Sequence, residues 1–99
     1  MPSLLINVYN DDERLVPIVE ESTFVGRDPA NQVVIEHPTV SRNHVEILVN
    51  DSEWFVKDLG SRNGTVVDGA KLGSEPLRLT HGAELLLGGD RVRINFLSE

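Results

Sequence analysis

The chain is predicted to be all-β, a sandwich or barrel built from many short strands. Three observations predict it: apolar residues recur with a period of two, turn-forming clusters interrupt them at short intervals, and no stretch carries a convincing helical stripe. Its 99 residues suffice for a single modest core. Residues 1–99 are expected to form one domain, with no internal repeat, low-complexity tract or linker.

Taken in order, the first strand is expected at 3–9, where Leu4, Ile6 and Val8 alternate with Ser3, Leu5 and Asn7. Asn10-Asp11-Asp12 then turns the chain into a strand at 14–20. Pro17 cannot donate to a ladder, so this strand is expected at an edge or to carry a bulge. Short strands follow near 23–27 and 33–36. Residues 40–59 lack Gly and Pro, and Val45, Leu48 and Val49 also fit a helical stripe. The alternation of Val45, Ile47 and Val49, with a break at Asn50-Asp51-Ser52, favours a hairpin of strands at 44–50 and 53–58. Strands at 65–67 and 71–72 flank Asp68-Gly69, and one at 77–79 precedes His81-Gly82. Strands at 84–88 and 91–97 flank Gly88-Gly89-Asp90. In the last, Val92, Ile94 and Phe96 alternate with Arg91, Arg93 and Asn95, and the two arginines are read as solvated surface. Trp54 and Phe55 are neighbours on a strand, so they face opposite ways; both are assigned to packing.

Composition narrows the function classes. Hydrophobic content of 39% with 25% charged residues is ordinary for a soluble globular protein. Apolar runs are too short to span a membrane, and Met1-Pro2-Ser3 leads into Leu4-Leu5-Ile6 without a cationic region or cleavable segment. No secretory signal and no membrane partner are therefore expected. The absence of cysteine excludes disulfides, thiol catalysis and thiolate metal sites, and fits a cytoplasmic location. A net charge of −7 argues against nucleic acid, where a basic face supplies most of the affinity. His37, His44 and His81 form no close ligand pair, so neither metal nor cofactor is expected.

Ser41, His44 and Asp58 invite comparison with a hydrolase, but the Ser–His spacing is short. Gly60-Ser61-Arg62-Asn63-Gly64 places arginine where a nucleophile elbow has serine, and it lacks the lysine and spacing of a P-loop. A small hydrolase is the remote alternative; no enzyme is expected and no catalytic residue is assigned. Asn50-Asp51-Ser52 and Asn63-Gly64-Thr65 fit the glycosylation pattern and are read as chance matches.

What stands out is a set of three loop islands: Gly26-Arg27, Ser41-Arg42-Asn43-His44 and Ser61-Arg62-Asn63-Gly64-Thr65. They place three arginines, several hydroxyls and an amide where a folded sheet could gather them at one end. A guanidinium offers a rigid fork of donors suited to phosphate oxygens. Distant carboxylates need not cancel such a site, because screening acts over about 8 Å at physiological salt.

In this order and spacing, Gly26-Arg27, Ser41-Arg42-Asn43-His44 and Asn63-Gly64-Thr65 resemble the signature of the forkhead-associated (FHA) domain family, over about residues 24–96. The resemblance implies an eleven-stranded β-sandwich of two mainly antiparallel sheets that binds phosphothreonine peptides with loops at one end. It implies that Arg27 bonds the phosphate and that Ser41 donates its hydroxyl to it. Arg42 would add a backbone amide and its charge. Arg62 would contact the phosphothreonine or its neighbours, and Asn63 would hold the peptide main chain. Gly26, His44, Gly64 and Thr65 would structure the loops, His44 by tying the serine loop to its neighbour. The loop Glu36–Val40 offers no arginine, so an apolar or small residue is expected third after the phosphothreonine.

The expected partner is a threonine-phosphorylated product of a Ser/Thr kinase, bound by a monomer and released by a phosphatase. A phosphate-independent interaction or self-association domain using a sandwich face is the alternative.

Overall fold

The computed structural model describes residues 1–11 and 13–98; Asp12, within the first predicted turn, lies outside them. Eleven strands are present among the described residues: β1 (Ser3–Val8), β2 (Arg14–Pro17), β3 (Ser22–Gly26), β4 (Val33–Val34), β5 (Val45–Asn50), β6 (Glu53–Asp58), β7 (Thr65–Val67), β8 (Ala70–Lys71), β9 (Leu77–Leu79), β10 (Ala83–Leu87) and β11 (Val92–Leu97). They form a six-stranded sheet, β2-β1-β11-β10-β7-β8, and a five-stranded sheet, β4-β3-β5-β6-β9. All pairings are antiparallel except β3 with β4. The two sheets make the expected eleven-stranded β-sandwich.

The period of two has its cause in the layer between the sheets. Leu4 and Ile6 of β1, Leu85 and Leu87 of β10, and Val92, Ile94 and Phe96 of β11 point inward and are buried. They meet Val25, Val45, Ile47 and Val56 of the other sheet, and Ile18, Ile35 and Val40 close the core from the connections. Each such side chain contributes about 1.5–3 kcal/mol when fully buried. Trp54 packs against this core with its ring centroid 6.1 Å from that of Phe96. Phe55, its neighbour, pairs outward with Leu48 and is half-buried.

Differences from expectation lie at strand ends and surfaces. The second strand stops at Pro17 and is indeed an edge. The fourth shortens to two residues, and β8 lies one residue earlier than expected. Arg91 and Arg93 are exposed but engaged: Arg91 sits 4.4 Å over the Tyr9 ring, and Arg93 pairs with Glu84 at 3.2 Å. Cross-strand partners supply both contacts, and single-strand alternation cannot name them.

The ambiguous stretch is a hairpin, closed by Asp51 (φ 51°) and Ser52 (φ 68°) between paired Asn50 and Glu53. Two consecutive positive φ values define the mirror-image turn that matches strand twist and favours glycine. Serine pays for that geometry, so Ser52→Gly is expected to stabilise the fold by about 0.5–1 kcal/mol. Thermal melting checks this; an unchanged or lower Tm would contradict it.

Register places the three loop islands together. Val25 pairs with Val45, and Val45 with Asp58, so the end of β3, the start of β5 and the end of β6 share one edge. Thr65 pairs with Leu87, so the start of β7 meets the end of β10. The β6–β7 crossing joins the two sheets at this same end.

Candidate functional site

The three islands meet at that end. Arg27 follows the last residue of β3, and its backbone N–H donates to the Ser41 carbonyl at 2.9 Å. Its Nε donates to the Val40 carbonyl, also at 2.9 Å, which holds the guanidinium beside the serine loop. The Ser41 hydroxyl oxygen accepts the Arg62 backbone N–H at 2.9 Å. That bond leaves the hydroxyl its own proton to give. Asn63 donates through Nδ2 to the Thr39 carbonyl at 3.0 Å, so this exposed side chain is half committed and keeps its Oδ1 as an acceptor. Arg27, Arg42 and Arg62 are exposed and Ser41 is half-buried.

His44 is fully buried and joins two islands. Its Nδ1 accepts the Ser41 backbone N–H at 3.0 Å, and its Nε2 lies 2.9 Å from the Gly64 carbonyl. An acceptor at Nδ1 assigns the ring proton to Nε2, making a neutral imidazole that donates to Gly64. Gly64 has φ 85°, as the Asn63-Gly64 turn requires. Burial pushes the His44 pKa below 6.5, outweighing the Gly64 bond and the attraction of Asp58, which both raise it.

Folding stability therefore depends on pH with a definite sign. Unfolded histidine titrates near about 6.5 and the folded ring below it, so in this window the unfolded chain binds more protons. The contribution is complete above about pH 6.5 and declines as pH falls toward the folded pKa. The Tm of the native chain is expected to drop between about pH 7 and 5, and His44→Gln to start lower with a shallower slope. Equal slopes in the two proteins would contradict this assignment.

Asp58 is the hub of the β6–β7 loop. Its Oδ1 accepts the backbone N–H groups of Gly60 and Ser61 at 2.8 and 2.7 Å. Its Oδ2 accepts the hydroxyls of Ser61 and Thr65 at 2.6 and 2.7 Å. Burial works to raise its pKa, but the Ser61 and Thr65 hydroxyls and these backbone donors outweigh it and hold the carboxyl below its usual range. Thr65 is buried as the anchor of that loop.

These bonds decide against hydrolysis. His44 meets the Ser41 backbone rather than its hydroxyl, and Asp58 is bonded to Ser61 and Thr65 rather than to the imidazole. No nucleophile–base–orienter chain exists among them.

Four supporting residues escaped sequence reasoning. Asn31, buried in the β3–β4 loop, donates Nδ2 to the carbonyls of Asp28 and Arg42 at 2.9 and 2.7 Å. Gly88 bonds the Gly64 carbonyl through its N–H, and a Cβ there would lie 2.2 Å from the Thr39 carbonyl oxygen. Thr39 meets Asn63 through its backbone oxygen, which leaves no sequence signal. Asp58 did carry a signal: Asp and Ser three residues apart in a loop form local side chain–backbone turns.

Electrostatics complete the site. Among the described residues, the ion pairs join Arg78 to Glu53, Arg93 to Glu84 and Arg91 to Asp90. None involves Arg27, Arg42, Arg62 or Lys71, although the chain carries 16 acidic residues.

A sandwich that gathers exposed cations and a spare hydroxyl at one end has the build of a module that recognises an anionic group. Residues 23–88 match the FHA domain family, and the chain belongs to it: it is a phosphothreonine-peptide recognition module. The oxoglutarate dehydrogenase inhibitor of Corynebacterium efficiens is 35% identical over 79 residues, 80% of this chain and 53% of that protein. FHA domain-containing protein FhaB of Mycobacterium tuberculosis is 29% identical over 79 residues, 80% of this chain and 50% of that protein. The chain thus spans about half the length of the curated relatives it matches. The FhaA FHA domain, solved with the intracellular domain of Rv3910, superposes with a TM-score of 0.84 at 27% identity, covering 97% of this chain and 99% of that one. The N-terminal FHA domain of S. cerevisiae Rad53, solved with a phosphothreonine peptide, gives 0.82 at 19% identity, covering 99% and 93%; that likeness speaks to fold alone.

Proposed function

We propose that residues 1–99 act as one unit that captures a protein segment phosphorylated on threonine by a Ser/Thr kinase, with the phosphate between Arg27, Ser41 and Arg42. The observation that carries this reading is the stitching of three loops around one hydroxyl. Arg27 is fixed to the carbonyls of Val40 and Ser41, and Arg62 to the Ser41 oxygen. A phosphothreonine carries about −1.5 to −2 charges and strong acceptor oxygens. It asks for converging donors, which Arg27 supplies through its remaining N–H groups and Ser41 through its hydroxyl proton. Arg42 and Arg62 add positive charge. Asn63 accepts or donates to the peptide main chain, and Gly26, His44, Gly64 and Thr65 hold the loops in place.

The partner is an intracellular protein and the module works as a cytoplasmic monomer. A chain without cysteine suits that compartment, and the FhaA domain was solved on an intracellular domain. Calorimetric titration with one threonine peptide, phosphorylated and not, tests the reading. Binding is expected only with phosphate. Equal affinity for both would transfer the function to a sandwich face.

A further inference from the structure

A cleft of about 400 Å³ opens between the β6–β7 loop and the segment Lys71–Ser74. Arg62, Asn63 and Gly64 line one side, and Lys71, Gly73 and Ser74 the other. We propose that Arg62 and Lys71 make this cleft a subsite for a second anionic group, an Asp or Glu side chain on the flank of the bound phosphopeptide. The inference rests on the phosphothreonine reading above and names a specificity residue for the same site.

The geometry carries it in three steps. First, the cleft is continuous with the phosphate cage, because Arg62 belongs to both: its N–H is fixed to Ser41 and its residue lines the cleft. Second, Lys71 is delivered to the cleft by the fold. β8 pairs with β7 through Val66 and Lys71, and the Lys71 Cε lies 3.8 Å from where a Cβ on Gly64 would stand. The lysine side chain thus lies against the Gly64 turn. Third, both cations are exposed, and neither has an acidic partner among the described residues. Asp58, the carboxylate that also borders the cleft, keeps its charge but gives both oxygens to hydroxyl and N–H donors, so two cations face one committed anion. In a chain of net charge −7, a cleft edged by two uncommitted cations selects an acidic neighbour by local attraction against an otherwise repelling surface.

The test uses a phosphothreonine peptide with alanine flanks and a series in which one glutamate is moved through the flanking positions. At one position, glutamate is expected to raise affinity about two- to fivefold, the scale of an exposed ion pair. The gain should shrink as salt rises. It should vanish in Lys71→Ala and persist in Arg78→Ala, which loses the same charge from the face of the other sheet, where it is already paired with Glu53. The ratio between peptides is the readout, so a general change in affinity does not enter it. No gaining position, a gain surviving in Lys71→Ala, or a gain lost equally in Arg78→Ala would each overturn the subsite. Failure of the alanine-flanked phosphopeptide to bind at all would overturn the phosphothreonine reading, and the subsite with it.

Discussion

Arg27→Ala is expected to remove most phosphopeptide affinity while leaving the fold intact. The guanidinium is exposed and spends one donor, Nε, on the Val40 carbonyl. Its terminal N–H groups remain for phosphate oxygens, in bonds that join two opposite charges. Each hydrogen bond to a charged group contributes about 1.5–3 kcal/mol, so losing even one costs about 10- to 150-fold in affinity. Loss of two would carry binding beyond ordinary titration. The Val40 carbonyl left behind can turn to water, so thermal melting should shift by little. Arg27→Lys should recover part of the affinity, because it keeps the charge and loses the fork. Wild-type affinity in Arg27→Ala would remove this residue from the site.

Gly26→Ala is expected to lower the stability of the fold sharply. A Cβ there would lie 2.1 Å from the Arg42 carbonyl oxygen, 2.7 Å from its carbon and 2.9 Å from Asn31 Nδ2. Two of those atoms are backbone and the third is bonded to both loops, so nothing nearby can step aside cheaply. Overpacking of this kind costs about 3 kcal/mol or more. For a domain this size, that corresponds to a Tm lower by about 10–20 °C. Moving the loops apart would also separate Arg27 from Ser41, so the affinity of the folded fraction should fall as well. Gly73→Ala is the control: nothing lies within 4 Å of its added Cβ, and melting should stay within about 0.5 kcal/mol of the parent. Equal melting of the two variants would show that the tight approach at Gly26 is not required.

Most strands were legible because a half-buried sheet imposes its own period on the chain. Leu4 and Ile6 face the core while Ser3 and Asn7 do not, and no knowledge of partners is needed to see it. Strand ends were less legible. β2 stops at Pro17 and β4 at Val34 because pairing partners run out, and partners lie elsewhere in the chain. The islands were legible as motifs, since Asn63-Gly64 joins turn chemistry to a donor and Arg27 follows a glycine at a strand end. Their supports were not. Asn31 and Gly88 matter because they touch the Arg42 and Thr39 carbonyls, and a backbone oxygen has no letter in a sequence.

Alternation of apolar and polar residues and the turn clusters determined the all-β class from the sequence alone, and the three loop islands determined an anion-binding chemistry that their resemblance to the FHA signature narrowed to phosphothreonine. Tertiary structure decided which groups remain free to bind. His44 and Asp58 are spent on holding loops, Asn63 is half spent on Thr39, and Arg62 and Lys71 share a cleft although neither motif nor spacing links them. The reason is physical: burial follows a local period along one strand, whereas the availability of a donor depends on every neighbour the fold brings to it.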